Sequence, residues 1–159
     1  MAVHTLPRWT TRLLAVPAYV YECNAGWLLG HRFLRLTHEG RRSGRVYRTM
    51  LEVVGEDRAT GEVFVMAGLG RSAQWYQNVR AGHALEIAIG RERFRPLYRE
   101  PDPAEAADVL AGYEQRNRLI APLVRLVLSW LVGWRYDGSP AGRQRLVVEL
   151  PLVAFRPST

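Results

Sequence analysis

Leu36-Thr-His-Glu-Gly-Arg-Arg-Ser-Gly-Arg-Val-Tyr-Arg-Thr49 is the stretch whose reading decides the fold. Leu34 to His38 alternates apolar and polar residues into it, and Val46 to Val54, rich in β-formers, leaves it. Period-two alternation on both sides of a glycine-bounded turn reads as strand, tight turn, strand. The turn carries Arg41 and Arg42 between Gly40 and Gly44, with Arg45 and Arg48 just beyond. Glycine permits φ > 0 and close backbone approach, and successive N–H groups at such a turn form a nest for anions. Four cations so close together repel less when a polyanion lies among them. A solvated basic hairpin is the plainer reading of the same residues.

Working outward, Gly55–Gly61 is a polar hairpin loop and Glu62–Ala67 a returning strand that ends at Gly68-Leu-Gly70. Ser72 reads as the N-cap of a helix over 73–80, closed by Ala81-Gly82. Ala84–Ile89 and Arg93–Tyr98 form a hairpin around Gly90. Pro101-Asp-Pro opens a helix over 103–115, and an apolar helix follows over 119–133. Gly138-Ser-Pro ends that segment, and Leu146–Phe155 reads as a last strand, at an edge or bulge because of Pro151. Toward the N-terminus, residues 8–21 suit a helix bent at Pro17, and residues 25–33 a second short one. The order predicts an α+β fold, an antiparallel split β-barrel with flanking helices. One domain spans 1–159, with an N-terminal helical segment (1–30) and a helical insertion (116–145).

All 22 basic residues are arginine, and the net charge is +7. Without lysine there is no Schiff base and no lysine general base; every cation is a planar fork suited to phosphate and carboxylate. Cys23 is the only cysteine, which excludes intramolecular disulfides and a cysteine zinc cluster and suits a reducing cytoplasm. His4, His31, His38 and His83 have no ligand spacing, so no metal is expected. Gly-x-Ser-x-Gly, the P-loop and His-Glu-x-x-His are all missing. A nucleic-acid partner ranks low, because the arginines gather at one turn and acids dilute the charge elsewhere. The run Leu119–Trp134 is too short to span a bilayer; it suits lying in an interface or packing on a partner, and is the candidate for peripheral membrane contact.

Gly68-Leu-Gly-Arg-Ser-Ala-Gln-Trp-Tyr-Gln-Asn78 is the second constellation. A Gly-x-Gly turn leads from a strand to a helix N-terminus, which attracts anions, and Trp75, Tyr76 and Asn78 add flat faces and an amide. Tyr113 and Tyr136, with Trp130 and Trp134 between them, are a third set; a phenol can give a proton to a developing oxyanion. Core packing is the plainer role for each aromatic.

Residues 36–51, followed by Val65-Met-Ala-Gly-Leu-Gly-Arg71 and Gln74-Trp-Tyr-Gln-Asn-Val-Arg-Ala81, resemble the deazaflavin-dependent nitroreductase family, split-barrel oxidoreductases of actinobacteria. The similar block runs from about residue 33 to 95, and the spacing of the motifs agrees. The resemblance implies coenzyme F420, with FMN as the alternative cofactor. It implies that Arg41, Arg42, Ser43, Gly44, Arg48 and Thr49 hold the phosphate and oligoglutamate tail. Ala67, Gly68, Leu69, Gly70 and Arg71 would line the deazaflavin ring, beside Trp75, Tyr76 and Asn78. Ala67 stands where the family often has serine, and Leu51 where proline is common. The expected activity is hydride transfer from reduced F420 to an enone, quinone or nitroaromatic, as in quinone reductases. Tyr136, or else Tyr113, is the expected proton donor or positioning group, and Trp130, Trp134 and the helix 119–133 an apolar cover for a lipophilic substrate. A non-catalytic F420 carrier is the rival. The protein would be a cytoplasmic, membrane-associated monomer or homodimer.

Overall fold

The computed structural model describes residues 30–159, in which seven strands form one antiparallel sheet. They are β1 (Phe33–Glu39), β2 (Val46–Asp57), β3 (Glu62–Met66), β4 (Ala84–Ile89), β5 (Glu92–Phe94), β6 (Pro96–Arg99) and β7 (Leu152–Pro157). Four helices accompany them: α1 (Gln74–Arg80), α2 (Pro103–Arg116), α3 (Ala121–Val132) and α4 (Pro140–Glu149). The strand order is β5-β4-β1-β2-β3-β7-β6. β5 and β6 are the two edges of that order, yet only Arg95 separates them in the chain. The sheet therefore curls until its edges adjoin, giving the split barrel expected from the sequence. Pro96 cannot donate to a ladder, so the chain changes partner there: β5 pairs with β4, and β6 with β7.

β2 serves both halves of the barrel. Its first part pairs with β1, from Phe33↔Glu52 to Glu39↔Val46. Its second part pairs with β3, with a register shift between Val53 and Gly55. Such a bulge bends a strand and lets it pass from one sheet half to the other. Gly55 is needed there for a second reason. A Cβ would stand 2.7 Å from Val109 Cγ1, so a larger residue there requires Val109 of α2 to shift.

Alternation sorts the two cores. Leu34, Leu36, Val63, Val65, Ile87, Ile89, Val153 and Phe155 point into the barrel with Tyr76 and Val79 of α1. Phe64, Leu152 and Ala154 point outward and meet Leu110, Leu128, Leu146 and Tyr136 of the helical layer. Strands covered on both faces are continuous apolar runs, which is why β3 and β7 read so clearly as strands. Arg99 of β6 ties the layers together. It donates to Glu62 across β7 at 2.8 and 2.7 Å and to Glu105 of α2 at 2.7 and 2.6 Å. Its hydrogen bonds hold the Glu105 carboxyl below its usual range.

Several sequence expectations need correction. Leu146–Glu149 is not strand but the end of α4, and Gly138-Ser-Pro starts that helix, with Ser139 Oγ accepting from Gly142 N at 3.0 Å. Leu146, Val147 and Leu150 are buried at i, i+1 and i+4, a helical face inside a run that also looks like strand. β7 is not an edge: it lies between β3 and β6, and Pro151 precedes it. Ser72 is not the N-cap of α1; its hydroxyl donates to Leu69 O within a short 3-10 turn, and α1 begins after Ala73. Phe33 opens β1 instead of closing a helix. The expected helix 8–21 and most of the one over 25–33 lie outside the described residues, as do His4 and Cys23. Among the described residues no helix is long and apolar enough to cross a membrane, and no group of three His, Cys, Asp or Glu side chains gathers.

Candidate functional site

The turn is a closed loop hung on the β1–β2 hairpin. Gly40 N donates to Arg45 O and Gly44 N to Gly40 O, both at 2.8 Å, and Gly44 has φ +65°. Arg45 N donates to Ser43 Oγ at 3.3 Å. Arg42, Ser43, Gly44, Arg45 and Arg48 are all exposed. Among the described residues, Arg42, Arg45 and Arg48 have no ion-pair partner, and the N–H groups of Arg42 and Ser43 no acceptor. No acid occurs from Gly40 to Leu51, and Glu39 just before them faces His83 at 3.7 Å. Cations and N–H donors without a resident carboxylate suit a polyanionic tail.

Arg41 does something else. Its backbone N–H donates to Asn78 Oδ1 at 3.1 Å, and its guanidinium to Asn78 Oδ1 at 2.9 Å and Gln74 Oε1 at 3.1 Å, and also to Gln77 Oε1. It pins the turn to α1. Asn78 is buried and completes the pin from the other side: with Oδ1 accepting from Arg41, Nδ2 donates to His38 Nδ1 at 3.1 Å. That leaves His38 Nε2–H to donate to Thr49 Oγ1 at 3.0 Å, a neutral ring. Burial lowers the His38 pKa and favours the same form. Tyr47 stacks on His38, with centroids 5.7 Å apart. The chain Arg41–Asn78–His38–Thr49 thus fixes the turn on a rigid base. Sequence reasoning missed His38; its signal is the inward register it shares with Leu34 and Leu36 on β1.

The second motif stands beside this base. Ala67 is fully buried in the barrel core, and Gly68 and Gly70 bend the chain from β3 to α1. A Cβ on Gly68 meets only Leu131 Cδ1 of α3, at 3.9 Å, and Leu69 is 68% exposed. Ala67 and Gly70 are buried, so Gly68 and Leu69 are the part of this loop that reaches the surface. Arg71 donates to the Tyr76 hydroxyl at 3.1 Å, and its carbonyl accepts from Gln77 Nε2 at 3.1 Å. Tyr76 is buried in the core, and Trp75 packs edge-on against it at 6.1 Å. Turn, loop and α1 therefore belong together.

The tyrosines lie elsewhere. Tyr136 is buried among the helices; its hydroxyl donates to the buried Glu114, which also faces Arg125 at 3.4 Å and Arg143 at 3.5 Å. Burial, then the Glu114 bond, raises its pKa. Tyr113 donates to Glu52 Oε1 at 2.9 Å, and burial and that carboxylate raise its pKa likewise. Tyr113 and Glu52 line an open cleft of about 350 Å³ with Arg32, Arg58 and Arg116. Trp134 is held by the layer as well, donating to Glu149 at 3.1 Å under the Arg145 guanidinium at 4.2 Å. Of the expected substrate cover, Leu131 comes within 3.9 Å of a Cβ built on Gly68.

Comparison with curated proteins gives no match. Among solved structures, an F420-H2 dependent reductase (FDR-A) superposes with TM-score 0.43 at 17% identity, over 80% of this chain and 96% of that one. The protein Atu2129 of Agrobacterium tumefaciens gives 0.45 at 15%, over 100% and 60%. A pyridoxamine 5'-phosphate oxidase-related, FMN-binding protein of Nostoc punctiforme gives 0.42 at 15%, over 96% and 82%. These superpositions are loose, and the assignment rests on a family model that matches residues 15–121 and takes in the turn, the glycine loop and α1. The chain belongs to the F420H2-dependent quinone reductase family and is an F420-dependent reductase.

Proposed function

We propose that the chain reduces a quinone, with enones and nitroaromatics as further acceptors, at a site between the arginine turn and the Ala67–Arg71 loop. The observation that supports this most is the set of cations without an ion-pair partner among the described residues, Arg42, Arg45 and Arg48, on a turn pinned to α1. When bound, reduced F420 supplies a hydride from C5; acceptor, hydride and one proton then make the two-electron-reduced product. The chain's residues bind and orient. Arg42, Ser43, Gly44 and Arg48 neutralise the anionic tail, while Arg41, Asn78 and Thr49 keep the turn in place. Gly68 and Leu69 offer the ring a backbone face, with Ala67 and Gly70 buried behind them; Arg71 and Trp75 shape its rim, with Tyr76 beneath. Tyr113 lies in the open cleft with Glu52, away from that site, so the proton is assigned to solvent and not to its phenol. Tyr136 is enclosed with Glu114 and is assigned to holding the helices. The whole chain acts as one domain on the cytoplasmic side. Because quinones are lipid-soluble, the reading includes peripheral contact with a bilayer.

The test is turnover of reduced F420 against quinones, enones and nitroaromatics. Oxidation of the cofactor fastest with quinones is the expected result. F420 binding without oxidation by any acceptor would leave an F420 carrier instead.

A further inference from the structure

Helix α3 carries a stripe of apolar side chains that the described residues leave partly exposed. Leu119, just before it, then Leu123, Leu126 and Trp130 follow one another at helical spacing and are 92, 59, 67 and 44% exposed. Ile120 and Val127 flank them at 40 and 48%, while Ala121 and Leu128 face the core. A surface helix ordinarily turns polar residues to solvent, and a contiguous apolar face marks an interaction site. The charge within it is basic. Residues 115–136 hold four arginines and no acid, with Glu114 and Asp137 standing just outside the stretch. Arg125 is drawn to Glu114. Arg118 at one end and Arg135 at the other are exposed and have no ion-pair partner among the described residues. At about 1.5 Å per residue the 12-residue helix is roughly 18 Å long, which cannot span a hydrocarbon core of about 30 Å. It suits a helix lying in an interface, with its apolar side in acyl chains and its terminal cations at anionic headgroups.

We propose that α3 seats the protein on an anionic lipid bilayer and brings the Gly68–Gly70 loop to the membrane rim, where a lipid-soluble acceptor is drawn from the bilayer. This rests on the quinone-reductase reading above. Leu131 supplies the link, since it belongs to α3 and abuts the space at Gly68. A second copy of the chain is a poorer occupant. Pairing α3 with α3 brings Arg118 and Arg135 into an interface to which residues 115–136 contribute no carboxylate.

The experiment sediments the full chain with vesicles of phosphatidylcholine alone or mixed with phosphatidylglycerol. Binding to the mixed vesicles is expected, and weakening by added salt. Arg118→Gln with Arg135→Gln should lower that binding roughly 25-fold, at about fivefold per arginine, with little change on neutral vesicles. Leu123→Glu with Leu126→Glu should lower it at least about tenfold without altering thermal stability or turnover of a short-chain, water-soluble quinone. Turnover of a quinone with an isoprenoid tail, dissolved in the vesicles, should fall with the lost binding. Active protein that ignores anionic vesicles overturns the docking proposal and leaves the quinone-reductase reading intact. Dimerisation abolished by the Leu123/Leu126 pair, without vesicle binding, overturns it in favour of a second copy. Vesicle binding without any F420 turnover removes the functional reading on which the proposal rests.

Discussion

Replacing Arg42 and Arg48 together by alanine should uncouple cofactor affinity from fold. Both side chains are exposed and neither has an ion-pair partner among the described residues, so their loss leaves the folded protein intact. A charged hydrogen bond contributes about 1.5–3 kcal/mol when well shielded. Solvent screening at this open turn lowers that to about 1–2 kcal/mol for each arginine. The pair is thus worth about 2–4 kcal/mol, or roughly 30- to 800-fold in Kd. Quenching of tryptophan fluorescence on titration with F420 reads the affinity, and a thermal melt reads the fold. Arg58→Ala is the control. It removes an equally exposed charge at the opposite end of β2, on the order of 30 Å away at about 3.3 Å per residue. Unchanged affinity in the double variant, or an equal loss in Arg58→Ala, would refute a tail-binding turn.

Other substitutions separate chemistry from architecture. Tyr113→Phe, in the cleft away from the turn and the glycine loop, should leave F420 affinity and quinone turnover unchanged, whereas Tyr136→Phe should cost about 1–3 kcal/mol in denaturant melts by stripping Glu114 of a buried donor. Phe155→Ala, emptying a fully buried site in the barrel, should cost about 3–5 kcal/mol by the same assay. His38 sets a pH dependence. The folded state holds the ring neutral, so below about pH 6.5 the unfolded chain takes up the extra proton. Stability from this residue is full above pH 6.5 and is lost as pH falls toward and through the lower folded value. His38→Gln should flatten that part of the stability profile.

Much of the barrel was legible because its strands obey period two and its turns are marked by glycine. Leu34, Leu36 and His38 face inward and Gly40–Gly44 closes the hairpin, as the residues dictate. The end of the chain was not legible in the same way. Leu146-Val-Val-Glu-Leu150 satisfies both a strand and a helical face, and the helical layer decides between them by burying Leu146, Val147 and Leu150. Ser139, followed by Pro140, was the cap signal that favours a helix there. In the site, the clustering of arginines was visible, but the division of labour among them was not. Arg41 and Arg42 are neighbours in sequence and point to different tasks, because only Arg41 reaches the amides of α1. Tyr136 and Glu114 are 22 residues apart, and their pairing depends on how the connection between α3 and α4 packs against α2.

The most direct test of the central claim is competitive titration of the purified full chain with F420 and with FMN, followed by a quinone. Saturable F420 binding that weakens with salt, no comparable FMN binding, and oxidation of the reduced deazaflavin by the quinone are the predicted result. Tight FMN binding with no F420 binding would contradict it.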